Sequence, residues 1–150
     1  MKGNITMAID KSSERRNATR QQIEHMLEER TQLLGLLIKA SSLDGERLEP
    51  RDEELLDEFC QVVTDYVAAG HFGLYQRIAE GKERRQEVAN IASSIYPQIE
   101  ESTQQALEFS EKYRAGSSNY ANLANDLSSL GMALATRIEL EDNLISSILE

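Results

Sequence analysis

The chain has 150 residues, 28% charged and 40% hydrophobic, with a formal net charge of -10; this length supports one hydrophobic core rather than two, and the charge argues against a surface that tracks nucleic-acid phosphates. With no Trp, two Pro and recurring Ala, Leu, Glu, Arg and Gln, the composition favours an all-α fold. A single cysteine excludes an internal disulfide, the opening residues MKGNITMAIDKSSERRN lack the apolar stretch of a signal peptide, and no run reaches the ~20 apolar residues of a membrane span, so a cytoplasmic protein is expected.

The first residues show no helical periodicity, so residues 1–11 are expected to be a flexible tail and residues 12–150 a single helical-bundle domain. Ile23, Met26, Leu27, Leu33, Leu34 and Leu37 then recur at three-and-four spacing, predicting a first helix that ends in the loop SSLDGERLEP. Pro50 suits a helix start and Asp52, Glu53 and Glu54 favour its first turn, with Leu55, Phe59, Val62, Val63, Tyr66 and Val67 on the apolar side. Gly70 and Gly73 bracket an expected bend, followed by a short extra helix over LYQRIAEG. A third helical stretch is predicted from about Lys82 to Arg114, kinked or divided at Pro97. Ser118 or Asn119 is expected to cap the last helix, whose stripe is Leu123, Leu127, Leu130, Leu134, Ile138, Ile145 and Ile148. Four long helical segments plus one short one, joined by short connections, predict an up-and-down antiparallel bundle.

Two charges interrupt the apolar stripes. Arg30 lies within that of Ile23, Leu27, Leu34 and Leu37, and Glu141 within that of Leu134, Ile138, Ile145 and Ile148. An unpaired buried charge is costly and a hydrogen-bonded pair tolerable, so Arg30 and Glu141 are expected to meet across the core as a buried polar pair that fixes register. A carboxylate inside a bundle also raises a di-iron hypothesis. The two histidines, His25 and His71, are too few for it and neither has a Glu three residues before it, so no metal and no cofactor are expected. Cys60, His71 and Asp65 are close in sequence, but Cys60 and His71 stand ~16 Å apart along an unbroken helix, and a lone Cys more often belongs to the core than to a nucleophile. With no Gly-rich phosphate loop either, an enzyme is not expected.

The outer face of the second helix carries a different signal. Glu54, Glu58, Gln61 and Asp65 line one edge, opposite Phe59, Val62 and Tyr66. An ordinary solvated face would look the same. The sequel GHFGLYQRI, however, brings His71, Phe72 and Tyr75 beside glycines immediately after the acidic edge, a combination that protein interfaces favour.

At this point the residues become specific. The run LLDEFCQVVTDYVAAGHFGLYQRI resembles the regulator of sigma D family (Rsd/AlgQ), which are anti-sigma proteins. IYPQIEESTQQALEF and LSSLGMALATRIELEDNLISSILE resemble two further blocks of the same family in the same order, so the likeness covers about residues 20 to 150. It implies an all-helical cytoplasmic protein that binds region 4 of the primary sigma factor and keeps it from RNA polymerase core and the promoter -35 element. Carried over by position, the resemblance assigns sigma contact first to Asp65, as a charge for Lys or Arg, and to Phe72, as an apolar plug. Tyr66, His71 and Tyr75 come second, with Glu58 on the acidic edge beside them. It also implies an alternative, a regulatory adaptor that binds a phosphotransfer carrier protein. The chain departs from the family at Met26, where a Trp is common, in the N-terminal segment and in the loop around Asp44.

Overall fold

The computed structural model describes residues 2–70, 75, 78, 85–114 and 119–149, with side chains described from Asn17 onward. Among the described residues there are four long helices, α1 (Lys2–Ala40), α2 (Pro50–Ala68), α3 (Gln86–Tyr113) and α4 (Leu123–Leu149). Each packs on the next and α4 returns against α1, closing an all-α bundle. The ends match as an up-and-down path requires: the loop after α1 meets the turn before α4 so closely that a Cβ on Gly45 would stand 2.6 Å from the carbonyl oxygen of Tyr120. None of the described helices is long and apolar enough to cross a membrane.

Local chemistry accounts for the helix limits. Pro50 opens α2, where its missing N–H removes no helical hydrogen bond, and the Glu49 N–H donates to Asp52 Oδ2 at 3.0 Å. Helix α1 begins at Lys2, earlier than the expected start near Ser12. Helix α3 runs undivided through Pro97, which faces solvent; the carbonyl it leaves unpaired can therefore be hydrated, and the buried Ile95 and Ile99 hold the helix to the core on either side. Helix α4 starts at Leu123, and Asn119 acts ahead of it by accepting the N–H of Ala121 at 3.1 Å, a turn-forming contact rather than a helix cap. Ser118, Gly73 and most of the expected short extra helix lie outside the described residues.

Leu33, Leu56, Phe59, Val63, Tyr66, Ile99, Leu134 and Leu144 form the fully buried centre. Phe59 meets Phe109 edge-on at 5.6 Å, and Phe109 continues to Tyr113 at 4.7 Å. On two helices the register differs from the predicted stripe. Leu33 and Leu36 are buried on α1 while Leu34 is exposed, and on α4 Arg137 is buried at 1% exposure while Ile138 is only partly covered.

Candidate functional site

All four helices send polar groups to one point inside the bundle. Glu141 of α4, at 0% exposure, lies 3.6 Å from Arg30 Nη2 of α1 and accepts hydrogen bonds from the Tyr66 hydroxyl of α2 and, at 3.3 Å, from Arg137 Nε one turn earlier on its own helix. Arg30 Nε donates to the Tyr66 hydroxyl at 3.1 Å, and its Nη1 reaches Asp142 Oδ1 at 2.6 Å. Arg137 distributes its remaining donors over two helices. Nη1 bonds Ser102 Oγ, Thr103 Oγ1 and the Ile99 carbonyl of α3, and Nη2 bonds the Val67 carbonyl of α2 at 3.4 Å. Its guanidinium also stands 5.7 Å from the centre of the Tyr66 ring.

Two guanidinium groups thus face one buried carboxylate, with the half-exposed Asp142 as the second anion. Burial would lower the Arg30 pKa, but the hydrogen bonds to Asp142 and Tyr66 outweigh it and hold the guanidinium above its ordinary value. Burial, reinforced by the Glu141 charge, pushes the Tyr66 and Tyr75 hydroxyls well above theirs. Gly70 closes the site from α2's end: a Cβ there would stand 2.8 Å from Arg137 Nη2 and 3.3 Å from Glu141 Oε2. The arrangement is a closed, charge-matched brace, with its donors and acceptors turned inward.

Arg137, Ser102 and Thr103 were missing from the predicted set. Arg137 was readable in principle, because it lies three residues after Leu134 and four before Glu141, on the face that those residues share.

The other predicted positions separate into exposed, buried and undescribed residues. Glu54, Glu58, Gln61 and Asp65 are all exposed, with Gln61 Nε2 donating to Asp65 Oδ1 at 3.0 Å, so the acidic edge of α2 is a real surface. Tyr66 and Tyr75, at 0% and 2% exposure, are core residues; as surface contacts for a partner they are corrected, because their side chains cannot reach one without opening the bundle. The Tyr75 hydroxyl has no hydrogen-bond partner among the described residues, and its ring meets Tyr96 at 6.5 Å. His71 and Phe72 lie outside the described residues.

Cys60 is buried and its thiol is pushed up to about 11, chiefly by burial, which keeps it protonated and unreactive at neutral pH. Among the described residues, no group of three or more His, Cys, Asp or Glu side chains is placed to hold a metal ion.

Comparison with known proteins adds to this geometry. Residues 6–149 match the family model described as regulator of RNA polymerase sigma(70) subunit, Rsd/AlgQ. Curated relatives called regulator of sigma D, from Shigella dysenteriae serotype 1 and Escherichia coli O139:H28, are each 39% identical over 102 residues. Those matches cover 66% of this chain and 64% of the length of each relative. No solved structure matches the chain at a significant level.

Proposed function

This chain belongs to the Rsd/AlgQ family of regulators of the RNA polymerase sigma(70) subunit, and from that premise we propose that it is a cytoplasmic, non-enzymatic anti-sigma factor that binds region 4 of the primary sigma factor. The bound protein blocks that region's access to RNA polymerase core and to the promoter -35 element. The observation that carries this reading is the exposed acidic edge Glu54, Glu58, Gln61 and Asp65, on a chain of net charge -10. Region 4 is a basic DNA-reading module, so an acidic cover competes with phosphate for the same Lys and Arg side chains. Asp65 supplies a charge at the centre of the contact, and Phe72, which lies outside the described residues, is assigned the role of apolar plug. The polar brace behind α2 holds that helix's outer face in place.

The test is titration of purified chain into the sigma region 4 domain at about 50 mM and about 500 mM salt. The expected result is a one-to-one complex that weakens as salt rises, and Asp65→Lys should abolish it at either salt. A complex indifferent to Asp65→Lys would remove the residue assignment. Capture of a phosphotransfer carrier protein without sigma would overturn the anti-sigma reading in favour of an adaptor.

A further inference from the structure

The acidic character of this chain stops abruptly on one shoulder of the bundle. Thr31–Ile38 of α1 and Leu127–Thr136 of α4 contain no charged residue, although charged residues make up 28% of the sequence. The two segments lie against each other: a Cβ on Gly131 would stand 3.8 Å from Leu37 Cδ2. On the outside of this seam Ile38 and Met132 are 74% and 72% exposed and Leu34 is 38% exposed, three of the five large exposed apolar side chains among the described residues. Gly35, between Leu34 and Ile38, has nothing within 4 Å of where a Cβ would sit, so another backbone could come close there.

The pairing of α1 with α4 brings these residues together. Leu37 sits beside Gly131, and about two turns back along α1 and nearly three turns on along α4 Arg30 meets Glu141 and Asp142, so the two helices run antiparallel. That register sets Ile38 level with Met132 and Leu34 level with Ala135, with small residues between the larger ones.

We propose that this α1–α4 shoulder is a self-association face that takes a second copy of the chain, and this inference is independent of the proposed function. The argument for that occupant is electrostatic. Two chains of net charge -10 repel over most of their surfaces, and a charge-free shoulder is the place where they can approach without stacking carboxylate on carboxylate. A basic partner, by contrast, gains nothing from a face that offers it no carboxylate. A two-fold arrangement presents the same shoulder from both copies, burying Ile38, Met132 and Leu34 of each and using Gly35 for close helix approach.

Salt gives this contact a distinctive signature. Screening the mutual repulsion should strengthen self-association, whereas the same screening weakens an acidic-to-basic complex. The experiment is sedimentation of the full chain at about 100 μM in about 50 mM and about 500 mM sodium chloride. Dimer content should rise with salt. Ile38→Glu and Met132→Glu, each present twice in the dimer, should each weaken it by roughly a hundredfold, while Ile38→Leu retains it and melting temperatures stay near that of the parent chain. A chain that remains monomeric at both salts overturns the proposal, as does a dimer indifferent to both Glu variants. So does loss of sigma region 4 binding in Ile38→Glu when the parent is monomeric, because the shoulder would then belong to that partner.

Discussion

On the inner face of α2, Tyr66 is wholly buried and its hydroxyl is held between Arg30 and Glu141, whereas one residue earlier Asp65 stands in solvent with Gln61 as its hydrogen-bond partner. The two neighbours show how one helix can treat polar groups in opposite ways. Inside, each group is fixed by partners from other helices, so its value lies in geometry and its loss is felt by the whole fold. Outside, the carboxylates contribute little to stability and remain free to answer to another molecule. The first kind of residue should reveal itself in unfolding measurements, and the second in binding.

The sharpest way to break this contrast is at Glu141. Glu141→Ala leaves Arg137 buried without its carboxylate and Arg30 dependent on Asp142, and should cost about 3–5 kcal/mol in urea unfolding. Next comes Gly70→Ala. The added methyl would press on Arg137 Nη2, and because the other contacts of that guanidinium reach α2, α3 and α4 it cannot simply swing away; a loss of about 1–3 kcal/mol is expected. Tyr66→Phe should fall in the same range, since removing one hydroxyl strips both an acceptor from Arg30 and a donor from Glu141. A Glu141→Ala protein as stable as the parent would show that the brace is incidental to the fold.

How much of this could be read before the fold was known depends on which side chains carry an unambiguous signal. Pro50 with the acids behind it marked the start of α2 correctly, and Arg30 and Glu141 stood out because each interrupts an apolar stripe. The same stripes concealed the register. Leu33 and Leu34 are both leucine, as are Leu36 and Leu37, so spacing alone cannot say which of each pair faces inward; the structure buries Leu33 and Leu36. Arg137 was overlooked for a related reason, since a long cation next to Ile138 reads as surface unless Glu141 is noticed four residues on. Tyr66 and Tyr75 were harder still. An amphipathic ring suits an interface or a core equally well, and only the packing of Tyr66 against Arg30 and Glu141, and of Tyr75 against Tyr96, decides between them. At the start of α1 there is no apolar stripe to follow, so periodicity offered no reason to extend the helix back to Lys2.

Alkaline pH offers a milder perturbation of the interior. Burial raises the Cys60 thiol from its ordinary 9.0 to about 11 and Tyr113 to about 12, and Tyr66 and Tyr75 move in the same direction. A group whose pKa is raised by folding contributes stability that is fully present below its unfolded pKa and is lost as pH climbs toward the folded one. Urea midpoints should therefore be insensitive to these groups at neutral pH. Above pH 9.0 stability should fall by about 1 kcal/mol per pH unit as Cys60 comes into play, and more steeply above 10.0 as the tyrosines join. Cys60→Ala should lower stability overall while flattening the first part of that decline, between 9.0 and about 11. A parent chain with no decline before pH 11 would mean that the thiol is less enclosed than its burial implies.

The smallest effect on stability belongs to Asp65, and it is the one that separates the two faces most cleanly. Asp65→Lys exchanges one exposed charge for another and sacrifices the hydrogen bond from Gln61, so unfolding free energy should change by no more than about 0.5 kcal/mol. If the outer face of α2 is a docking surface for a basic partner, that same substitution puts a like charge at its centre, where such a juxtaposition costs several kcal/mol of binding. Stability and binding would then move independently, and the ratio of the two effects measures how completely the helix divides its labour. Should Asp65→Lys instead unfold the chain as Glu141→Ala is expected to, the acidic edge would be part of the brace, and the distinction between Asp65 and Tyr66 would have to be withdrawn.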